Sequence, residues 1–133
     1  GTAVLTVTGT DEYGAVVKES SASGTSLAGK KAFKTITGVT VSADITSLTV
    51  GHGDVLGLPV FLESVVDVLK EYQDGSAPTA GTVVAGVAAT ATATTGDVRG
   101  TYDPNAAADG TKKFALLVAV KSAAYKGAAQ YAG

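Results

Sequence analysis

The chain has 133 residues, ten Lys and Arg against twelve Asp and Glu, and a formal net charge of −2, which is the length of one domain with no basic excess to track a phosphate backbone. Hydrophobic residues make up 45% and aromatics 6%, with no Trp, so a core must be built from small and β-branched side chains. With no cysteine and a single histidine, His52, the chain has no disulfide framework, thiolate metal site, cysteine nucleophile or multi-histidine metal centre.

No run approaches the roughly 18 consecutive apolar residues of a transmembrane helix. Gly1-Thr2-Ala3-Val4-Leu5 has neither a basic region nor a long apolar segment, so it does not read as a signal peptide. Val4-Leu5-Thr6-Val7-Thr8 alternates apolar and polar residues, the period of a half-buried strand. Asp11-Glu12-Tyr13-Gly14 has the residues of a tight turn, and Ala15-Val16-Val17-Lys18-Glu19 returns as the second strand of a hairpin.

Ser20 to Gly29 is a Ser, Gly and Thr loop. Strands are expected over Lys31–Ile36 and Gly38–Ala43, with Gly38 at a bulge, and again over Ile45–Val50. Gly51-His52-Gly53-Asp54 is a turn. Val55–Leu62 is almost wholly apolar, but Pro59 cannot donate to a ladder, so this run is an edge strand or is broken.

Val60–Gln73 fits both a helix, through Leu62, Val65, Val66 and Leu69, and a strand, through Val66, Val68, Lys70 and Tyr72. The valine content and the Asp74-Gly75 turn favour the strand. Gly81–Val87 reads as a strand. The Ala/Thr alternation of Ala88–Thr95 reads as another, with its alanine face packed closely against a neighbour. Gly96–Tyr102 and Lys112–Val120 complete the series. The tail has no clear period and reads as a loosely ordered arm over residues 122–133, following a β domain over 1–121. Short strands at regular spacing point to an all-β, single-domain antiparallel sandwich or barrel, jelly-roll arrangements included, with little helix.

Residues able to do chemistry are few. His52 and Asp54 could orient one another, with Ser47 or Ser64 as nucleophile, but no activated-nucleophile turn surrounds either serine, and an exposed turn histidine is the plainer reading. Asp11 and Glu12 are adjacent carboxylates that read as a solvated hairpin tip. Asp97 and Arg99 are two residues apart on one strand face. Arg99 is the only arginine, and a structural or interface ion pair is the favoured role.

Asp103, Asn105, Asp109 and Gly110 resemble a calcium loop only faintly and lack its spacing, so they read as turn formers. Lys30-Lys31 and Lys112-Lys113 read as solvated strand ends. Gly51, Gly53 and Gly57 lack the following helix that a phosphate cradle needs. No catalytic, cofactor-binding or metal-binding residue is assigned, and a non-enzymatic protein is expected.

Two stretches carry a family resemblance. One is Thr8-Gly9-Thr10-Asp11-Glu12-Tyr13-Gly14 with Gly29-Lys30-Lys31-Ala32-Phe33-Lys34-Thr35-Ile36. The other is Gly53-Asp54-Val55-Leu56-Gly57-Leu58-Pro59 with the Ala-Thr run leading into Gly96-Asp97-Val98-Arg99-Gly100-Thr101-Tyr102. Over roughly positions 8 to 120 the chain resembles the virion structural proteins of tailed bacteriophages that decorate or cement the capsid. The resemblance implies a location on the capsid exterior, the major capsid protein as partner, and homo-oligomeric contacts on the lattice. It implies no nucleic-acid or membrane partner. A head-fibre or tail module is the alternative, ahead of a cell-surface adhesion β-sandwich and, last, a small hydrolase using His52. Exposed strand edges and a small-residue Ala/Thr face would suit such contacts.

Overall fold

A computed structural model describes residues 2–122 and 124–131. Among them the chain is all-β, with eight strands and a single 3-10 turn at Val65–Asp67. The strands are β1 (Leu5–Thr10), β2 (Val16–Ser20), β3 (Thr35–Val41), β4 (Leu56–Gly57), β5 (Val68–Gln73), β6 (Thr82–Ala85), β7 (Gly100–Asp103) and β8 (Phe114–Val118). They pair antiparallel in three small sheets, ordered β2-β1-β3, β4-β7-β6 and β5-β8.

The expected hairpin forms from β1 and β2, with Thr6 opposite Ser20 and Thr10 opposite Val16. Period-two alternation sets its two faces. Leu5, Val7 and Gly9 stand opposite Val41, Val39 and Ile36 of β3, so one face of the β1-β3 ladder is apolar. Thr6, Thr8 and Thr10 stand opposite Thr40, Gly38 and Thr35 on the other face. The ladder slips by one residue between the Thr8–Gly38 and Gly9–Ile36 pairs, which leaves Thr37 as the extra residue of a bulge beside Gly38.

The apolar cluster lies between the other two sheets. Leu58, Leu62 and Tyr102 are buried, and Val68, Val83, Phe114, Leu116 and Val118 pack against them. The inward set from β8 is Phe114, Leu116 and Val118, while Ala115 and Leu117 face outward. Val55–Leu62 behaves as both halves of its expectation. Two residues pair with β7 at the sheet edge, and the ladder then ends ahead of Pro59. In the ambiguous Val60–Gln73 run, strand wins over Val68–Gln73, which pairs with β8 from Val68 opposite Val118 to Gln73 opposite Phe114, and one 3-10 turn precedes it.

Three expectations are corrected. Ala88–Thr95 is not a strand. Its threonines bond their own backbone: the Thr92 amide donates to Thr95 Oγ1 at 3.0 Å and the Thr95 hydroxyl donates back to the Thr92 carbonyl at 3.1 Å, closing a turn that competes with a ladder. Ile45–Val50 is not a strand either, because among the described residues no segment pairs with its backbone in a ladder. The segment over 124–131 is not loose. The Gln130 amide donates to the Val16 carbonyl at 2.7 Å, the Tyr125 hydroxyl donates to the Ala88 carbonyl at 2.6 Å, and the Tyr125 ring lies 4.4 Å from that of Phe61. Residues 123, 132 and 133 of the expected arm lie outside the described residues.

Gly9 shows how tightly the first sheet is drawn together. A Cβ at this position would strike the Thr35 carbonyl and come within 3.0 Å of the Phe33 ring. Gly9→Ala is therefore expected to lower stability by about 1–3 kcal/mol in urea unfolding. Gly53→Ala, where nothing lies within 4 Å of the added carbon, is expected to stay within about 0.5 kcal/mol of the parent.

Candidate functional site

The buried set is unusual in being nearly half polar. Asp11, Glu19, Lys31, Asp67, Asp97, Arg99, Thr101 and Gln130 are buried, beside nine buried hydrophobic residues. Charged side chains are seldom buried unless paired, so the partners of each decide what the cluster does.

Arg99 enters from the residue preceding β7. Its guanidinium forms a buried ion pair with Asp11 Oδ2, donates to the Tyr125 carbonyl at 3.0 Å, and lies 5.1 Å from the Tyr13 ring centroid. Asp11 in turn holds the hairpin turn through Oδ1, which accepts the amides of Tyr13 and Ala15 at 2.9 Å each. The turn chemistry expected for Asp11 is present, but its carboxylate is buried and is not at a solvated tip. Glu12 alone stays in solvent, 3.3 Å from Lys34.

Asp97 does not pair with the Arg99 guanidinium. It caps the local turn, with Oδ1 accepting the Arg99 and Gly100 amides and Oδ2 accepting the Ala32 amide. Lys31 reverses its expectation of solvent exposure. Its ammonium is buried and donates to the carbonyls of Thr92 and Gln130. Burial lowers its pKa from the usual lysine value, against the opposing pull of the Glu19 and Asp97 carboxylates. Glu19 accepts the Lys30 and Lys31 amides, and Gln130 Oε1 accepts the Val98 amide. Five chain segments thus meet on a buried polar cluster: the hairpin, residues 30–32, residues 92–93, residues 97–100 and the tail.

The other residues singled out from sequence stay apart. His52 and Ser47 are exposed in one loop, while Asp54 accepts the Ala108 amide at 3.1 Å. Ser64 only begins the 3-10 turn, and its side chain makes no capping bond. Asp109 caps its own turn by accepting from Thr111 and Lys112, and the Lys112 ammonium 2.6 Å away holds its carboxyl below the usual carboxylate range. Among the described residues no group of His, Cys, Asp and Glu is placed to hold a metal ion. Two shallow, open depressions share Asn105. Gln73, Pro78 and Thr79 line one, and Asp54, Gly81 and Asp103 line the other.

What the molecule displays is apolar surface. Val66 is 74% exposed, Leu69 59%, Val120 54% and Leu117 51%; Leu69 sits at the irregularity where the β5-β8 ladder slips, and Leu117 faces outward on β8. Leu48, Val50, Val55 and Leu56 form a second exposed run, close in sequence to Val41 at the end of β3. The accessible surface is 7591 Å². A compact monomer of 13.1 kDa would expose about 6,400 Å², so roughly 1,200 Å² is in excess.

Glu71 and Tyr102 form one further polar contact, at the apolar cluster. The Tyr102 hydroxyl donates to Glu71 Oε2 at 3.0 Å, and the same oxygen accepts the Gly81 amide at 2.8 Å. Neither residue carries a motif that would single it out in the sequence. Searches of protein-family models, curated proteins and solved structures give no match to this chain.

Arg99→Leu strands the Asp11 carboxylate without its counter-charge and is expected to cost about 3–5 kcal/mol in denaturant unfolding. Adding Asp11→Asn is expected to restore part of that loss, since the asparagine oxygen can still accept the turn amides. Burial, with the Glu71 carboxylate accepting a hydrogen bond from the phenol, pushes the pKa of Tyr102 up to about 12 from the ordinary tyrosine value of 10.0. Between those values the folded chain keeps a proton that the unfolded chain releases, so stability falls as pH rises from 10 toward 12. Tyr102→Phe is expected to reduce that slope in urea midpoints measured across the same range.

Proposed function

We propose that this chain is a non-enzymatic capsid decoration (cement) protein of a bacteriophage, which binds the outer surface of the major capsid protein shell and stabilises the head. The observation that carries the proposal is the set of fourteen large hydrophobic side chains left exposed among the described residues, on a molecule whose buried ionisable groups are engaged in holding the fold. Apolar side chains in such numbers on a small domain fit contact with neighbours better than a free existence in water. The family resemblance over positions 8 to 120 names the kind of neighbour.

A protein with this role needs a stable β frame and broad contact faces rather than a reacting group. Repeated many times on a symmetric shell, modest contacts at each copy add up to substantial reinforcement. The outward face of the β5-β8 ribbon, with Leu69 and Leu117, is suited to such a contact.

Co-sedimentation of the purified protein with shells that lack it, over a concentration series, tests the proposal. Saturable binding at a fixed copy number per capsomer is the expected result. Folded protein that stays in the supernatant at every concentration overturns the proposal and favours a head-fibre or tail module.

A further inference from the structure

Two uncharged stretches of this chain lack the partner that their sequences suit. The first is β3, Thr-Ile-Thr-Gly-Val-Thr-Val, the outer strand of the β2-β1-β3 sheet. Its ladder bonds go to β1, and the flanking Lys34 and Ser42 amides also donate to that side, to the Thr10 and Val4 carbonyls. No described segment pairs with its far edge. Proteins that remain monomeric guard such an edge with lysine, proline or a covering loop, and β3 carries no charge and no proline.

The second stretch is Ile45-Thr46-Ser47-Leu48-Thr49-Val50. It has strand composition, with two-residue alternation over 47–50, yet among the described residues its backbone makes no hydrogen bond to any other part of the chain. Leu48 and Val50 would fall on one face of a strand and Ser47 and Thr49 on the other. That matches the division across β1 and β3, with Val39 and Val41 on the apolar face and Thr40 on the polar one.

We infer that residues 45–50 of one copy add as an extra strand to the free edge of β3 in a second copy. Each copy offers one such edge and one such strand, so two copies satisfy both reciprocally about a two-fold axis. A standard stable interface covers about 800 Å² per partner, and the exposed Ile36, Val41, Leu48 and Val50 side chains lie in the two stretches that the contact brings together. The added strand supplies main-chain hydrogen bonds for affinity, and the alternating Leu48 and Val50 fix its register. This contact is one that the shell reading would use, and it is tested without shells, so the two fail separately.

The test combines sedimentation velocity with amide hydrogen exchange at low and high protein concentration. It uses the parent chain, Leu48→Pro and the pair Leu48→Lys with Val50→Lys. Because Leu48 and Val50 are exposed, each variant is expected to keep the parent's urea midpoint. The expected result is a dimer that grows with concentration while exchange slows together over 35–41 and 45–50. In Leu48→Pro the dissociation constant should rise by roughly tenfold or more, since proline removes a ladder donor. The lysine pair should weaken association in the same direction. A chain that stays monomeric at the highest concentration overturns the inference. So does protection of 45–50 already present in the dilute monomer, which would mean that the segment folds back on its own β3. A dimer whose amides over 45–50 still exchange freely overturns it as well.

Discussion

The ion pair between Arg99 and Asp11 is the constraint on which the rest of the fold hangs. One guanidinium joins the turn of the first hairpin to the strand that centres the second sheet, and it also takes up a carbonyl of the tail. Without disulfides and with few aromatics, the chain ties these three parts together by buried polar contacts, and Gln130 adds a second link through the Val16 carbonyl and the Val98 amide. A buried charge pair is a poor source of net stability when set against an apolar replacement, because both ions lose their water. It is a strong source of specificity, because any arrangement that separates the partners strands a charge. The same reasoning extends to Lys31, whose ammonium is held by carbonyls from the 92–93 turn and the tail, near the Glu19 and Asp97 carboxylates.

This polar solution follows from composition. A chain rich in alanine, glycine and threonine cannot fill a large volume with apolar side chains, and among the described residues only nine hydrophobic ones are buried. Most of the exposed valines and leucines fall in two groups, the β5-β8 ribbon with the residues flanking it and the run from Val41 to Leu56, while Val16 and Val84 stand apart. Folding and exposure are thus one fact. The side chains that would enlarge the core of a solitary domain are placed where neighbours can use them.

Local order was legible in the sequence and convergence was not. The alternation in Val4–Thr8 and Val16–Glu19 and the Asp11–Gly14 turn gave the hairpin, because neighbouring residues decide all three. Pro59 marked the end of β4 for the same local reason. Arg99 stood out as the only arginine and suggested a structural ion pair, but its partner, Asp11, lies 88 residues away, and spacing had pointed to Asp97. Lys31 looked like any surface lysine, since nothing near it in sequence hints at carbonyls supplied by residues 92 and 130. The Ala/Thr run misled because threonine hydroxyls close turns as readily as they line a strand. Ile45–Val50 has the pattern of a strand, but pattern alone does not supply a ladder partner.

The contact between Lys31 and Gln130 spans 99 positions, and the tail supplies one of the two carbonyls around the buried ammonium. During synthesis, the first hairpin and β3 leave the ribosome long before residue 130 does. Until then the Lys31 ammonium has only part of its final environment and the Val98 amide lacks the Gln130 oxygen. The polar cluster therefore closes only after residue 130 has emerged from the exit tunnel, later than every segment upstream of it. Contacts of such long separation also slow folding, because loop closure must be completed before they contribute. The growing chain spends that interval with Lys31 only partly surrounded, and the residue that completes the cluster is among the last of the described residues to be made.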